Sequence, residues 1–237
     1  MIHTAYEAVG ATTYPGRGII VGKSADGRRA VMAYFIMGRS VNSRNRVFVQ
    51  EREGIRTEAF DPSKMVDPSL IIYWPVRVID NHVIVTNGDQ TDTIYNHVDE
   101  GSSFAAALRE RTFEPDAPNF TPRVSAMATF ENGDFSLDMG ILRAGDAQGS
   151  CCHRVFWEYE KVEAGKGCFL HTYLRDGSPI PSFTGDPETV ALGDESAQEL
   201  ARSIWEGLNP DNRVSLWTLT RDLTTGETQS FIINRNC

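Results

Sequence analysis

The stretch GIIVGKSADGRRAVMAYFIM, residues 18–37, holds two apolar runs with a polar segment between them. GIIVG (18–22) and AVMAYFIM (30–37) are short and rich in β-branched and aromatic residues, which is the pattern of strands. SADGRR (24–29) separates them and carries Asp26-Gly27, a hairpin turn signal. The stretch therefore reads as strand, tight turn, strand. Two strands joined this way are antiparallel.

The same punctuation recurs outward from that hairpin. VFVQ (47–50), LIIYWPVRVI (70–79) and HVIVTN (82–87) read as strands, with a tight turn at 79–82. PRVSAMATF (122–130), FSLDMGIL (135–142), HRVFWEYEKV (153–162) and KGCFLHTYL (166–174) follow. RVSLWTLTR (213–221) and TQSFIINRN (228–236) close the chain around a TTGE turn. Two segments have helical spacing. SSFAAALRERTF (102–113) has Ser102 or Ser103 as its cap, and DESAQELARSIWEGL (194–208) has Asp194 as cap and Asn209-Pro210 as terminator. PIPSFTGDPE (179–188) reads as a surface loop or an entrance flap. About ten strands joined mostly by turns, with two helices, give an α+β fold of mostly antiparallel sheets whose outer faces the helices cover. No repeat or linker interrupts the chain, so residues 1–237 read as one domain.

Composition excludes several classes. With 41% hydrophobic and 23% charged residues the chain is globular. A net charge of -9 argues against sequence-independent nucleic-acid binding, which needs a basic face. No apolar run of about 18 residues is present to span a membrane. The amino-terminal MIHTAYEAVG lacks the charge and apolar core of a signal peptide. The four cysteines, Cys151, Cys152, Cys168 and Cys237, have no zinc-type spacing, so a cytoplasmic protein with reduced thiols is expected. Cys152 and His153 are strand neighbours facing opposite ways, which disfavours a nucleophile–base pair. His3, His82, His97, His153 and His171 are scattered, with no metal-ligand spacing.

GRSVNSRNR (38–46) sets Arg39, Arg44 and Arg46 in a strand-to-strand loop with no acidic residue among them. Guanidinium groups grip phosphate as bidentate forks. A solvated turn paired with the acidic surface is the competing reading. YPGRG (14–18) adds Arg17 between glycines that permit close backbone approach, or is an ordinary loop. TNGDQTD (86–92) gathers Asn87, Asp89 and Gln90 at a strand end, where amides can read a heterocycle edge; Asn-Gly is equally a turn signal. FEPDAPNFTPR (113–123) holds Glu114, Asp116, Asn119 and Arg123, a carboxylate base near a cation or a proline-fixed helix exit. Tyr73, in IIYWPVR (71–77), is a phenol that can donate a proton, or a core aromatic.

Taken in order, YPGRG, YFIMGRSVNSRNR, IIYWPVRV, TNGDQTD and NFTPRVSA resemble the archaeal-type inosine monophosphate cyclohydrolase family, best over about the first 130 residues. The resemblance implies an Ntn-hydrolase-like fold with four layers, αββα, but without a processed amino-terminal nucleophile. It implies closure of 5-formamidoimidazole-4-carboxamide ribonucleotide to inosine monophosphate with loss of water, on a small-molecule purine ribonucleotide and without a cofactor. A homo-oligomer is compatible with it. Arg17, Arg39, Arg44 and Arg46 are then assigned to the phosphate and to electrophilic stabilisation, with Arg44 counted among the catalytic groups. Tyr73 becomes the proton donor or oxyanion partner, and Glu114 the general base assisted by Arg123. Asn87, Asp89 and Gln90 orient the base and the carboxamide. The C-terminal part, including CCHRVFWEYE, departs from the family pattern. A purine-ribonucleotide-binding paralogue without turnover, or an Ntn-type amidohydrolase acting on a small amide, are the alternatives.

Overall fold

A computed structural model describes residues 2–65, 68 and 70–237; Met1, the first residue of the amino-terminal stretch considered above, lies outside them. Among the described residues the chain runs β1 (His3–Thr4), α1 (Ala5–Gly10), β2 (Arg17–Lys23), β3 (Arg29–Met37), α2 (Val41–Arg44), β4 (Arg46–Glu51) and β5 (Gly54–Ala59). After a 3-10 turn at Pro62–Lys64 come β6 (Val76–Ile79), β7 (His82–Thr86), α3 (Gln90–Asp99), α4 (Phe104–Arg109), β8 (Arg123–Glu131) and β9 (Asp134–Ala144). The remainder is β10 (Cys152–Tyr159), β11 (Lys166–His171), β12 (Glu188–Ala191), α5 (Ala197–Gly207), β13 (Arg213–Asp222) and β14 (Thr228–Asn234).

The strands form two seven-stranded sheets, ordered β1-β12-β11-β2-β3-β13-β14 and β10-β9-β8-β7-β6-β5-β4. Among the described residues, the pairings between these strands are antiparallel except the short β1–β12 pair. The α+β expectation therefore holds. The opening hairpin does too: β2 and β3 pair from Arg17↔Ile36 to Lys23↔Ala30, and Gly27 turns between them with φ 72°.

The unbroken apolar run of β3 has a direct cause. Ala30, Met32, Tyr34 and Ile36 face a core shared with Phe48, Val85, Val124 and Met139 of the other sheet. Val31, Ala33, Phe35 and Met37 face a second core with Val9 of α1 and Leu200 and Ile204 of α5. A strand buried on both faces has no polar side to alternate. On the other sheet, Ile94 of α3 and Phe104 and Leu108 of α4 cover Ile84, Met127 and Leu142.

Several expectations need correction. LIIYWPVRVI is a strand only over Val76–Ile79. Pro75 has no N–H to give a ladder, and before it Thr57 takes over: its Oγ1 donates to the Ile71 carbonyl and accepts from the Tyr73 N–H, both at 2.8 Å. The helix expected over 102–113 ends at Arg109, and the chain beyond turns inward so that Phe113 and Glu114 are buried. Ser196, not Asp194, caps α5, because Ser196 and Glu199 form a reciprocal capping box. Asp194 instead accepts the Asp26 N–H in the β2–β3 turn. Helices α1, α2 and α3 and strands β1, β5 and β12 lie where no regular element was read, α2 within the GRSVNSRNR loop and α3 at the end of TNGDQTD.

Candidate active site

The site begins with a close backbone approach. Gly16 has φ +83°, and a Cβ there would come within 2.2 Å of Thr172 Oγ1 and 2.4 Å of the Tyr173 ring. Only glycine lets YPGRG lie against the end of β11, where the Arg17 N–H donates to Thr172 Oγ1 and the Tyr173 N–H to the Pro15 carbonyl. Arg17, at the start of β2, is thereby directed inward and is 9% exposed.

Inward, Arg17 Nη2 lies 3.9 Å from Glu114 Oε2, and Glu114 is 2% exposed. Burial pushes the Glu114 carboxyl up to about 7, against the opposing pull of Arg17, Arg123 and Arg46. Desolvation is the largest single influence on Arg17 and works against its charge. Glu114, Tyr173, Tyr73 and Tyr14 together outweigh it and hold the guanidinium above its ordinary value.

Glu114 is also the end of a side-chain chain. Asn87 Nδ2 lies 3.5 Å from Glu114 Oε1 and donates to the Pro122 carbonyl at 2.9 Å. Gln90 donates to Asn87 Oδ1 at 3.0 Å, and Arg123 Nη1 donates to Gln90 Oε1 at 2.7 Å. Asp89 takes Arg123 on one oxygen and Arg111 on the other. Gly88 makes this possible, since a Cβ there would meet Arg123 Nη1 at 2.5 Å and Gln90 Oε1 at 2.6 Å.

Tyr73 and Arg46 are buried and lie close enough to feel the charges of both Arg17 and Glu114. Tyr73 Oη is 2.8 Å from Tyr34 Oη, and both phenols are held above their ordinary values, first by burial. Arg46 is fully buried at the start of β4 and donates from Nε to the Ser43 carbonyl at 2.9 Å; among the described residues, no group accepts from either Nη. Desolvation lowers the Arg46 value, with Tyr73, Arg17, Tyr34 and Glu114 acting on its charge. A buried guanidinium with free donors is aimed at an acceptor, since an unmade hydrogen bond there is costly.

Arg39 and Arg44 lie elsewhere. Arg39 is partly exposed, 5.1 Å over the Tyr14 ring, and pairs with Asp176 at 2.5 Å. Arg44 donates to the Gly38 carbonyl and to Asn212 Oδ1, so its head is spent on the turn beside it. The structure thus brings Arg17, Glu114, Asn87, Asp89, Gln90 and Arg123 into one contact chain with Tyr73 and Arg46 beside it. Arg39 is at the rim and Arg44 is apart.

A pocket of about 210 Å³ opens over Arg17, lined among others by Tyr14, Arg39, Asp116, Thr121 and Tyr173. Two larger clefts, about 700 and 510 Å³, share Trp74 and Asp92 on the β5–β6 side; Tyr73 and Asp89 reach the second. Neither contains an arginine from YPGRG or GRSVNSRNR, and neither has a buried carboxylate–guanidinium pair beneath it. Converging charge therefore selects the smaller pocket over the larger clefts. Tyr34 and Tyr173 are the residues that sequence reading missed. Tyr34 has one sequence signal, a single hydroxyl within an apolar run; Tyr173 has none. Among the described residues, no group of three His, Cys, Asp or Glu side chains is placed to hold a metal ion, and the four cysteines are free.

Comparison with known proteins gives the same direction. The family described as IMP cyclohydrolase-like protein matches residues 14–227. A protein of Methanopyrus kandleri named IMP cyclohydrolase is 30% identical over 185 residues, covering 72% of this chain and 89% of that protein. Proteins of the same name from Methanosphaera stadtmanae and Methanothrix thermoacetophila are 31% and 30% identical, over 82% and 81% of this chain and 86% and 85% of theirs. A family match over residues 14–227, with relatives of about 30% identity over most of the chain, shows that the chain belongs to the IMP cyclohydrolase-like family.

Proposed function

We propose that this protein is an IMP cyclohydrolase that closes 5-formamidoimidazole-4-carboxamide ribonucleotide to inosine monophosphate at the Arg17–Glu114 pocket. The observation that carries the reading is that buried pair. An acid held near neutrality beside a fixed cation, under a pocket with further arginine, suits proton transfer next to a bound anion. The pocket is smaller than the roughly 300–1,000 Å³ that encloses a whole drug-sized ligand, so part of the nucleotide lies outside it.

Ring closure needs the formamide and carboxamide held face to face, an intramolecular step that orientation alone accelerates strongly. The carboxamide nitrogen attacks the formyl carbon, and the carbonyl electron pair moves onto the formyl oxygen. Glu114 takes the proton from the attacking nitrogen, while Tyr73 gives one to the oxygen. Arg46, with its free donors, stabilises the charge as it develops. In the second step the new hydroxyl leaves as water with the proton from Glu114. The former formamide nitrogen gives its proton back to Tyr73 and forms the ring double bond. Both side chains end as they began. Arg17 and Arg39 hold the phosphate side, with Arg44 supporting their loop; Asn87, Asp89, Gln90 and Arg123 orient Glu114 and the base.

The finer architecture belongs to the same reading. Two sheets sharing one core, with α1 and α5 on one outer face and α3 and α4 on the other, support a four-layer αββα arrangement of the Ntn-hydrolase type over a single domain, 1–237. A cytoplasmic location follows from the substrate.

The test is incubation of the purified protein with the formamido ribonucleotide, following inosine monophosphate by absorbance. The reading requires conversion well above the spontaneous rate. Binding without conversion would leave a ribonucleotide-binding paralogue instead.

A further inference from the structure

The pocket over Arg17 is rich in donors. Arg17 and Arg39 can only donate. Ser40 and Ser43 bond to each other, and Asn119 Oδ1 already accepts the Ile180 N–H. Against this stands a chain of three side chains. Asp116 accepts the Thr121 N–H on Oδ1 at 2.6 Å and bonds Thr121 Oγ1 through Oδ2 at 2.5 Å. Thr121 Oγ1 lies 2.5 Å from Tyr173 Oη.

The direction of this chain follows from its end. A carboxylate only accepts, so the Thr121 hydroxyl hydrogen goes to Asp116. Thr121 Oγ1 has no second hydrogen, so it accepts from Tyr173. The Tyr173 hydrogen is thereby committed, and what its oxygen presents to the pocket is a lone pair. The ring is fixed in that attitude: Tyr173 is 2% exposed, stacks on Tyr14 at 5.8 Å, and its backbone is tied to Pro15. Burial also pushes the phenol well above its ordinary value, which keeps it neutral.

We infer that Tyr173 is a further substrate-contacting residue, made an obligate hydrogen-bond acceptor by Thr121 and Asp116, and that it receives a neutral N–H or O–H donor of the bound ribonucleotide. This rests on the reading that the pocket takes a purine ribonucleotide, and it deepens that reading. Asp116 also lines the pocket, but it is charged and both its oxygens already take Thr121, whereas Tyr173 is a neutral fixed acceptor that discriminates against ligands lacking a donor there, because it cannot turn to donate without breaking the chain. Two parts of the ligand carry such a donor, a ribose hydroxyl and the ring N–H derived from the carboxamide.

The test uses the full chain and calorimetric titration with four probes: inosine monophosphate, its 2′-deoxy and 3′-deoxy analogues, and purine ribonucleoside monophosphate, which lacks the ring N–H together with the adjacent carbonyl. The wild type should bind one of the three analogues roughly three- to tenfold more weakly than inosine monophosphate, the effect of one hydrogen bond; the analogue whose deficit disappears in Tyr173→Phe identifies the donor. Tyr173→Phe and Thr121→Val should each abolish that preference, the second by freeing the Tyr173 hydrogen, and the double variant should do no more than either. Thr121→Ser should restore it. Melting curves run alongside, and if Tyr173→Phe does not fold, the Thr121→Val and Thr121→Ser pair decides alone. Equal binding of all four probes by the wild type, or an unchanged preference in Thr121→Val, overturns the inference. A wild type that binds none of the probes overturns the ribonucleotide reading itself, and so the two failures are distinct.

Discussion

Glu114 is where burial does the most chemistry. A solvated glutamate would be fully ionised at neutral pH and a weak base; at about 7 it can both take and return a proton. Glu114→Gln should lower turnover by at least about 100-fold, the lower end for a general base, with little change in ribonucleotide binding. The same burial has an opposite consequence for stability. The folded value lies above the ordinary glutamate value of 4.5, so the fold favours the neutral carboxyl. That contribution is complete below pH 4.5 and is lost as pH rises through about 7. The wild type should therefore lose stability between those limits, and Glu114→Gln should lack that slope when unfolding is followed by urea titration at several pH values. Tyr73→Phe should lower turnover more than binding, since its oxygen serves the reacting group.

Elements hold these residues through small, specific devices. The two arginine loops depend on glycine and on a cap: Gly16 admits YPGRG to Thr172 and Tyr173, and Ser40 caps α2 through the Ser43 N–H at 3.0 Å. Gly16→Ala should raise KM and lower turnover together, because it shifts Arg17 and Tyr173 at once; steady-state kinetics on a variant that still melts cooperatively checks this. At α5 the capping box separates two neighbouring residues. Ser196→Ala should cost about 1 kcal/mol, the usual loss for a cap, while Asp194→Ala should cost less, since it removes only an exposed bond to the Asp26 N–H. Thermal melts of the two variants would show the order.

At the scale of the molecule, the sheets are joined by their core and also at one edge. Asn234, on edge strand β14, accepts the Phe48 N–H at 2.8 Å and donates to the Phe48 carbonyl at 3.0 Å on edge strand β4. One amide thus satisfies two edge groups and blunts both edges. Asn234→Ala should destabilise by roughly 1–3 kcal/mol and shift the urea midpoint without changing its slope.

The sheet architecture was legible because its signals are local. The β2–β3 hairpin, the doubly buried β3 and the β13–β14 hairpin each show in a run of residues and a turn. Helix α3 was not, since QTDTIYNHVD begins at a turn dipeptide and holds few apolar residues to mark a face. The site was legible as types and not as a place. Arg17, Glu114, Asn87 and Arg123 stand out as polar groups in strategic loops. Arg17 and Glu114 are 97 positions apart, one on a strand of the first sheet and the other in the loop leading into β8 of the second, so their convergence depends on how the two sheets pack. Arg44 and Arg46 show the limit most clearly. They lie two residues apart with identical side chains, yet a short helix ends between them, sending one to the Asn212 turn and the other into the core.

The role of Glu114 is tested most directly by the rate of inosine monophosphate formation from the formamido ribonucleotide, followed by absorbance from pH 5 to 9 for the wild type and Glu114→Gln. The pH range brackets the Glu114 value of about 7. The expected result is catalysis that rises with pH through that value in the wild type, and a slow, nearly flat profile in the variant. A wild-type rate equal to the spontaneous one, or a variant that matches the wild type across the range, would contradict it.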